Sequence, residues 1–546
     1  MTIGLGTSDK IDSLRVIWPD KSTQLLTDVE VNQQLELSQK EATNQYKIPK
    51  PSNEPVLLQE MQPKQLLAHE ENSYNDFDYE GLIYKKTSQE GPSLSVADIN
   101  GNGNEDIFIG GGKMQPGIIY LNSGNGNLKI TSQKALEADA GFEDTASAFF
   151  DANGDGHLDL IVGSGGNQIG EGKTYSARLY LNDGKGNFTR SSIELPSSFH
   201  NISAIAPYDF DEDGDVDLFI GSRSVVGTYG IDPDHLFLEN NGDGTFTNST
   251  ERVGYDLKNA GMITDAIWAD IDKDGRKDLI TVSEWGSPIL FKNTGRRLSR
   301  LKTDLDELTG WWNTVEVADL DGDGNNDLIL GNNGTNTAYT TSQANPMKIW
   351  INDFDNNGTI EQIVTRNLGG KDMPIHMKKE LTTQLSSLKK QNLKAADYAR
   401  RSIQELFPAD VIDNSIVKEV VMGETIIAVN LGDGKFETKI LPSRVQLSCV
   451  CGITCTDVDG DGILDLVMGG NSFDFKPQFS RLDASYGNVL LGTGNMEFTW
   501  QDYNKSGFVV KDEIKHLKKF SDKNGNSYII TAINNQKPKV FKLNAK

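Results

Sequence analysis

The chemistry this chain offers is carboxylate chemistry, and it is repeated. Seven segments share the form D-x-[DN]-x-[DN]-G-x-x-[DE], namely DINGNGNED at 98–106, DANGDGHLD at 151–159, DFDEDGDVD at 209–217, DIDKDGRKD at 270–278, DLDGDGNND at 319–327, DFDNNGTIE at 353–361 and DVDGDGILD at 457–465. Oxygen donors fall at positions 1, 3, 5 and 9, with glycine at position 6 allowing a sharp reversal, so each loop can fold around one point. Position 7 holds Asn104, His157, Asp215, Arg276, Asn325, Thr359 and Ile463, a variety that points to its backbone carbonyl as the donor there. Two to four carboxylates with carbonyls and water suit a hard cation taking six or more oxygens, which is calcium, in up to seven sites. An EF-hand is excluded, because it needs flanking helices and Glu at position 12. An eighth copy, DKNGNSYI at 522–529, lacks the closing acid.

The expected ligands are Asp98, Asn100, Asn102 and Asp106; Asp151, Asn153, Asp155 and Asp159; Asp209, Asp211, Asp213 and Asp217; and Asp270, Asp272, Asp274 and Asp278. The remaining loops offer Asp319, Asp321, Asp323 and Asp327; Asp353, Asp355, Asn357 and Glu361; and Asp457, Asp459, Asp461 and Asp465. These positions hold 24 of the 78 acidic residues of a 546-residue chain whose net charge is -25. Such clusters repel themselves without a counterion. One loop alone could be a solvated turn, since Asp, Asn and Gly are ordinary turn formers. Seven in near-register argue for metal.

The charge excludes a nucleic-acid backbone or an anionic membrane surface as partner. No run of eighteen apolar residues spans a bilayer. With three cysteines, a disulfide scaffold is out. The N-terminus shows no basic region followed by an apolar stretch, so no secretory signal is visible. A strand-like run, DSLRVIWPD, begins almost at once, so a start internal to a longer reading frame is expected.

The flanks set the elements that hold the loops. Short apolar runs such as SVA, SAFF, AIWA and VEVA stand upstream of the motifs, and IFIG, LIVG, LFIG, LITV, LILG and LVMG downstream, which is a strand ended by a turn. YLNSGNGNL, YLNDGKGNF, FLENNGDGTF and VNLGDGKF then read as hairpins with Asn-Gly or Asp-Gly turns. Four short antiparallel strands per repeat make a propeller blade. The fold expected is all-β, a β-propeller. Asp319 and Asp353 start motifs too close for two full blades, so seven blades are favoured and eight allowed. Residues 1–40 are expected as a small β unit, 41–75 as a linker and 76–546 as the propeller.

Residues 375–410 are expected as a helical insertion. Leu381, Leu385 and Leu388, then Ala396, Ala399, Ile403 and Phe407, recur at helical spacing and predict two helices. The insertion is rich in Lys and Arg, and reads as a solvated excursion against a blade edge or a docking surface. Cys449, Cys451 and Cys455 read as small buried residues or one disulfide. Trp285, Trp311 and Trp312 either pack between blades or, at a propeller face, stack on a ligand. No catalytic residues are assigned, because no nucleophile elbow, metalloprotease, Walker or dinucleotide pattern occurs.

These motifs resemble the FG-GAP/VCBS family over roughly 90–535. The resemblance implies calcium in the loop between the first two strands of a blade. GLGTSDKIDSLRVIWPDKS resembles the end of an ASPIC/UnbV domain, with Lys21 where glycine is usual. That domain accompanies propellers in secreted or surface proteins resembling cartilage acidic protein. The resemblance implies a bacterial parent, extracellular or on the outer membrane, with a further propeller upstream. The function expected is a calcium-stabilised, non-catalytic binding or scaffold module for a glycan or protein ligand. The alternatives are a polysaccharide lyase or hydrolase on a propeller, and an assembly component of a surface complex.

Overall fold

The computed structural model describes residues 4–6, 8–47, 55–169, 175–338, 340–479 and 481–544, and two compact units divide the chain, Met1–Glu54 and Pro55–Lys546. In the first, strands Lys10–Ile17, Ser22–Glu30 and Asn44–Gln45 form an antiparallel sheet. Its first turn closes through the Lys21 N–H donating to the Trp18 carbonyl at 2.8 Å. Lys21 sits at φ 68°, a left-handed conformation that costs an L-residue about 1–2 kcal/mol. That explains why glycine suits this position.

The second unit is a seven-bladed β-propeller. Its blades are four-stranded antiparallel sheets, the fourth carrying Gly310–Trp311 as an extra strand, and their inner strands are Leu94–Ala97, Asp144–Phe150, Asn201–Tyr208, Met262–Ala269, Thr314–Ala318, Gly452–Thr456 and Ile514–Ser521. Each inner strand touches the next, and the seventh touches the first, so the ring is closed. The hydrophobic core lies between blades. Phe219 and Phe237 of blade 3, for example, pack with Trp268, Leu279 and Phe291 of blade 4.

Blade 7 takes its outer strand from the other end of the unit. Leu58–Met61 pairs antiparallel with Lys539–Leu543. This strand falls inside the stretch 41–75, expected as a linker; its LQEM sequence is polar because an outer strand shows one face to water. Residues 48–54 of that stretch lie outside the described residues.

Eight blades are not formed. Between strands Asp327–Gly331 and Ile426–Asn430 of blade 5, an inserted sheet is built from Met347–Asn352, Glu361–Leu368, Lys371–Pro374 and Ile416–Val420. The sixth motif belongs to that sheet. The two expected helices are five short ones: Lys378–Gln384, Leu388–Gln391, Ala395–Tyr398, Ile403–Leu406 and Ala409–Asp413. Asn392 ends the second by donating to the Leu388 carbonyl at 3.1 Å. Leu381, Leu385, Leu388, Ile403 and Phe407 are buried against Leu82, Trp350 and Ile363, whereas Ala396 and Ala399 are exposed.

Every acidic motif joins the first strand of a sheet to its second, so the blade motifs share one face of the ring. The opposite mouth is crossed by the segment leading into blade 1. Its Lys85 ammonium lies 3.0 Å from Glu284 of blade 4, and the Tyr84 hydroxyl donates to the same carboxylate at 2.7 Å. Arg223 of blade 3 bridges Glu284 and Glu90, each at 2.8 Å. Burial opposes the ionisation of Glu284, but Lys85 and Arg223, with the Tyr229 and Tyr84 hydroxyls, hold it well below the usual carboxylate range. Because Leu58 is fully buried in the closing strand, Leu58→Ala should lower stability by about 2–5 kcal/mol, measured by urea unfolding.

Candidate metal centres

Each loop is shaped by its own carboxylates. The position 1 aspartate accepts from the glycine N–H at position 6: Asp209 from Gly214 at 3.0 Å, Asp319 from Gly324 at 2.9 Å and Asp457 from Gly462 at 2.9 Å. The same bond recurs at Asp98, Asp151, Asp270 and Asp353. These glycines have positive φ, between 82° and 99° in the loops of 319–327 and 209–217, where a Cβ would be strained. The position 5 side chain caps the N–H of position 7, as Asp213 does for Asp215 at 2.9 Å and Asp461 for Ile463 at 2.8 Å.

The closing acid is the first residue of the second strand, and it is buried in every motif. One oxygen of Asp217 accepts from the Phe210 N–H at 3.3 Å, and the other from the Asn240 N–H at 2.9 Å. Asp465 does the same with Val458 and Gly492, both at 2.8 Å. Burial, aided by repulsion from Asp211 and Asp213, pushes Asp217 up to about 7 despite those two N–H donors. Asp278, Asp327 and Asp465 are raised to about 6 for the same reasons, burial first.

Five loops bring three acids together, with one oxygen from each within 4.8 Å of the others: Asp209, Asp211, Asp217; Asp270, Asp272, Asp278; Asp319, Asp321, Asp327; Asp353, Asp355, Glu361; and Asp457, Asp459, Asp465. Buried oxygens of Asp209, Asp211, Asp270 and Asp355 have no hydrogen-bond partner. An orphaned buried carboxylate oxygen is costly, and a cation at the centre of the loop would satisfy it. The residues present therefore fit a metal ion. In these five loops positions 1, 3 and 9 converge, whereas Asp213, Asp274, Asp323 and Asp461 lie outside the three-acid groups and act on the loop backbone.

Individual loops differ in a readable way. In the first, the Asn100 amide donates to Asp106 at 2.9 Å, doing part of a cation's work, while the Asn100 carbonyl oxygen is buried without a partner. The second, with Asn153 at position 3, likewise forms no three-acid group. In the fourth, Lys292 is bonded to Asp272 and Arg276 lies 2.7 Å from Asp274. The eighth loop is already saturated. Although burial opposes it, bonds from Asn526, Asn125 and Asn524 bring Asp522 down to about 2.

Sequence reasoning missed the asparagine that ends the third strand of five blades: Asn122, Asn182, Asn240, Asn293 and Asn430. Its N–H holds the closing acid of its own loop. Its side-chain amide crosses to the neighbouring blade, where Asn182 donates to the Ile99 carbonyl at 2.8 Å, Asn240 to Ala152 at 3.1 Å, Asn293 to Phe210 at 3.0 Å and Asn430 to Ile271 at 2.9 Å. Those carbonyls stand at position 2 of the adjacent loop. The signal was present as the Asn before each hairpin turn, where it read as a turn former.

Trp285, Trp311 and Trp312 are buried, so they do not form a stacking face. Trp285 and Trp311 meet edge to face at 5.6 Å, and the Trp285 ring N–H donates to the Tyr229 hydroxyl at 2.9 Å. Packing requires them.

Comparison with known proteins agrees with the repeat reading. The ASPIC and UnbV family matches residues 1–44, and the FG-GAP-like repeat family matches 98–162, 163–220 and 270–330. The chain thus carries FG-GAP-like repeats in a propeller, with an ASPIC and UnbV segment at its N-terminus. No curated protein matches it. The crystal structure of BBS1N in complex with ARL6DN, soaked with lead, is similar at 8% identity, covering 85% of this chain and 94% of that one, with a TM-score of 0.36. A likeness at that score carries no weight for function. Asn240→Ala removes the inter-blade donor and the side-chain oxygen that accepts from the Gly242 N–H at 3.0 Å, and should cost about 1–3 kcal/mol, measured by chemical denaturation.

Proposed function

We propose that this chain is a calcium-stabilised binding or scaffold module of a cell-surface or extracellular protein, without catalytic activity, whose ring presents a glycan or protein ligand site. The observation that carries the calcium reading is the recurrence of one defect. Three acids converge in five loops, and in three of those loops a buried carboxylate oxygen is left without a donor. Carboxylate oxygens at this density suit calcium, which takes six to eight such ligands, more than magnesium. In the Asp209, Asp270, Asp319 and Asp457 loops, positions 1, 3 and 9 would hold the ion, and Asp353, Asp355 and Glu361 would do so in the inserted sheet. The ion supplies charge neutralisation and ties the first strand to the second.

A binding role also accords with how the centre of the ring is used. The charged groups at its mouth are paired with one another across blades 3 and 4 and the crossing segment, where they fasten the ring. The FG-GAP-like repeats support a surface location.

Calcium at 100 times its dissociation constant adds about 2.7 kcal/mol per site. Thermal unfolding in excess calcium should therefore show a midpoint several degrees above that in EGTA; an unchanged midpoint removes the calcium reading. Asn100→Asp completes a three-acid group in the first loop. It should destabilise the chelated protein and add one calcium equivalent by isothermal titration.

A further inference from the structure

The metal loops and the crossing segment leave the three cysteines unused. Cys449 and Cys451 flank Val450 just before the inner strand Gly452–Thr456 of blade 6, and Cys455 lies within that strand. The backbone between the first two is fixed: the Val450 N–H donates to the Asn332 carbonyl at 2.9 Å, and the Cys451 N–H to the Gly469 carbonyl at 3.0 Å. Held this way, the two sulfurs lie 3.3 Å apart. Both line a cavity of about 70 Å³ that is also walled by Lys85, Arg223, Glu513 and Lys515. Cys449 is buried and Cys451 partly exposed. Cys455 packs elsewhere, beside Leu320, Ile329 and Leu466.

We propose that Cys449 and Cys451 form an oxidisable dithiol, a modification site at which a small hydroperoxide closes the pair into a disulfide. The cavity takes water-sized molecules, and hydrogen peroxide is little larger than water. Cys451 reacts first, being the accessible thiol of the pair. The hydrogen bond shared with Cys449 favours its thiolate against burial, and the Lys515 charge adds to this. Cys449 keeps its proton, because the shared hydrogen bond and burial both raise it.

The balance is simple. The Cys451 thiolate attacks one peroxide oxygen, the O–O bond breaks, and hydroxide leaves and takes up a proton as water, giving a sulfenic acid. The Cys449 sulfur then attacks the Cys451 sulfur. The S–S bond forms, and the sulfenic hydroxyl departs with the Cys449 proton as a second water. Two thiols and one hydrogen peroxide thus give one disulfide and two waters. The sulfurs must approach by about 1.2 Å to reach bonding distance.

The test is intact-mass spectrometry of the full chain, first reduced, then treated with hydrogen peroxide, with remaining thiols counted by alkylation. The expected result is a loss of about 2 Da with one alkylatable thiol left. Cys455→Ser should still lose the 2 Da, and Cys451→Ser should not. The Cys455→Ser arm stands independently of any effect of serine at 451 on folding. A disulfide that requires Cys455, stepwise gain of oxygen without the mass loss, or three free thiols after excess peroxide would each overturn the proposal.

Discussion

The ring depends on one buried carboxylate per motif, the acid that opens the second strand. In the blade motifs it is placed where two backbone N–H groups converge, one from its own loop and one from its own hairpin. That position fixes the loop, because the acid must share its surroundings with the acids at positions 1 and 3. It also fixes the seam between blades, since the asparagine whose N–H holds it reaches the adjacent loop with its side chain. Loop, hairpin and neighbour are therefore one unit. Repulsion among the acids is the strain this unit carries, and a cation is its natural relief.

The two mouths of the ring solve the same electrostatic problem by different means. On the motif face, like charges gather and are left short of donors. On the opposite face, opposite charges are brought together by a chain segment, so that Glu284 is answered by Lys85 and Arg223. Buried ion pairs add little net stability, yet removing one partner is expensive. Their effect here is to specify which residues must meet, and they tie blades 3 and 4 to the segment before blade 1.

Much of this was legible. The acid spacing, the glycine at position 6 and the flanking apolar runs gave the blade and the placing of positions 1, 3 and 9. What stayed hidden depended on partners distant in sequence. Asn240 looks like any turn asparagine until Ala152 is seen beside its amide. Leu58–Met61 has no strand signal strong enough to stand alone, because its pairing partner is at the other end of the chain. The leucines after 380 have helical spacing, but the backbone leaves the helical conformation at Leu385 and again at Asn392, before two long helices can form. The tryptophans give no hint of burial by composition; the packing of Trp285 on Trp311 decides it.

The clasp that closes the ring also sets an order of events. The Asn544 side chain donates to the Val56 carbonyl across 488 residues of chain. A ribosome delivers Leu58–Met61 first and its partner strand last, so the early strand must wait through the synthesis of every blade. During that interval the first blade has no neighbour on one side, and strand edges stand open to other chains. Ring closure is the slowest kind of contact to make, the longest in sequence and the last available. Blades 1 to 6 can form in turn as they emerge; the circle itself waits for the strand Lys539–Leu543.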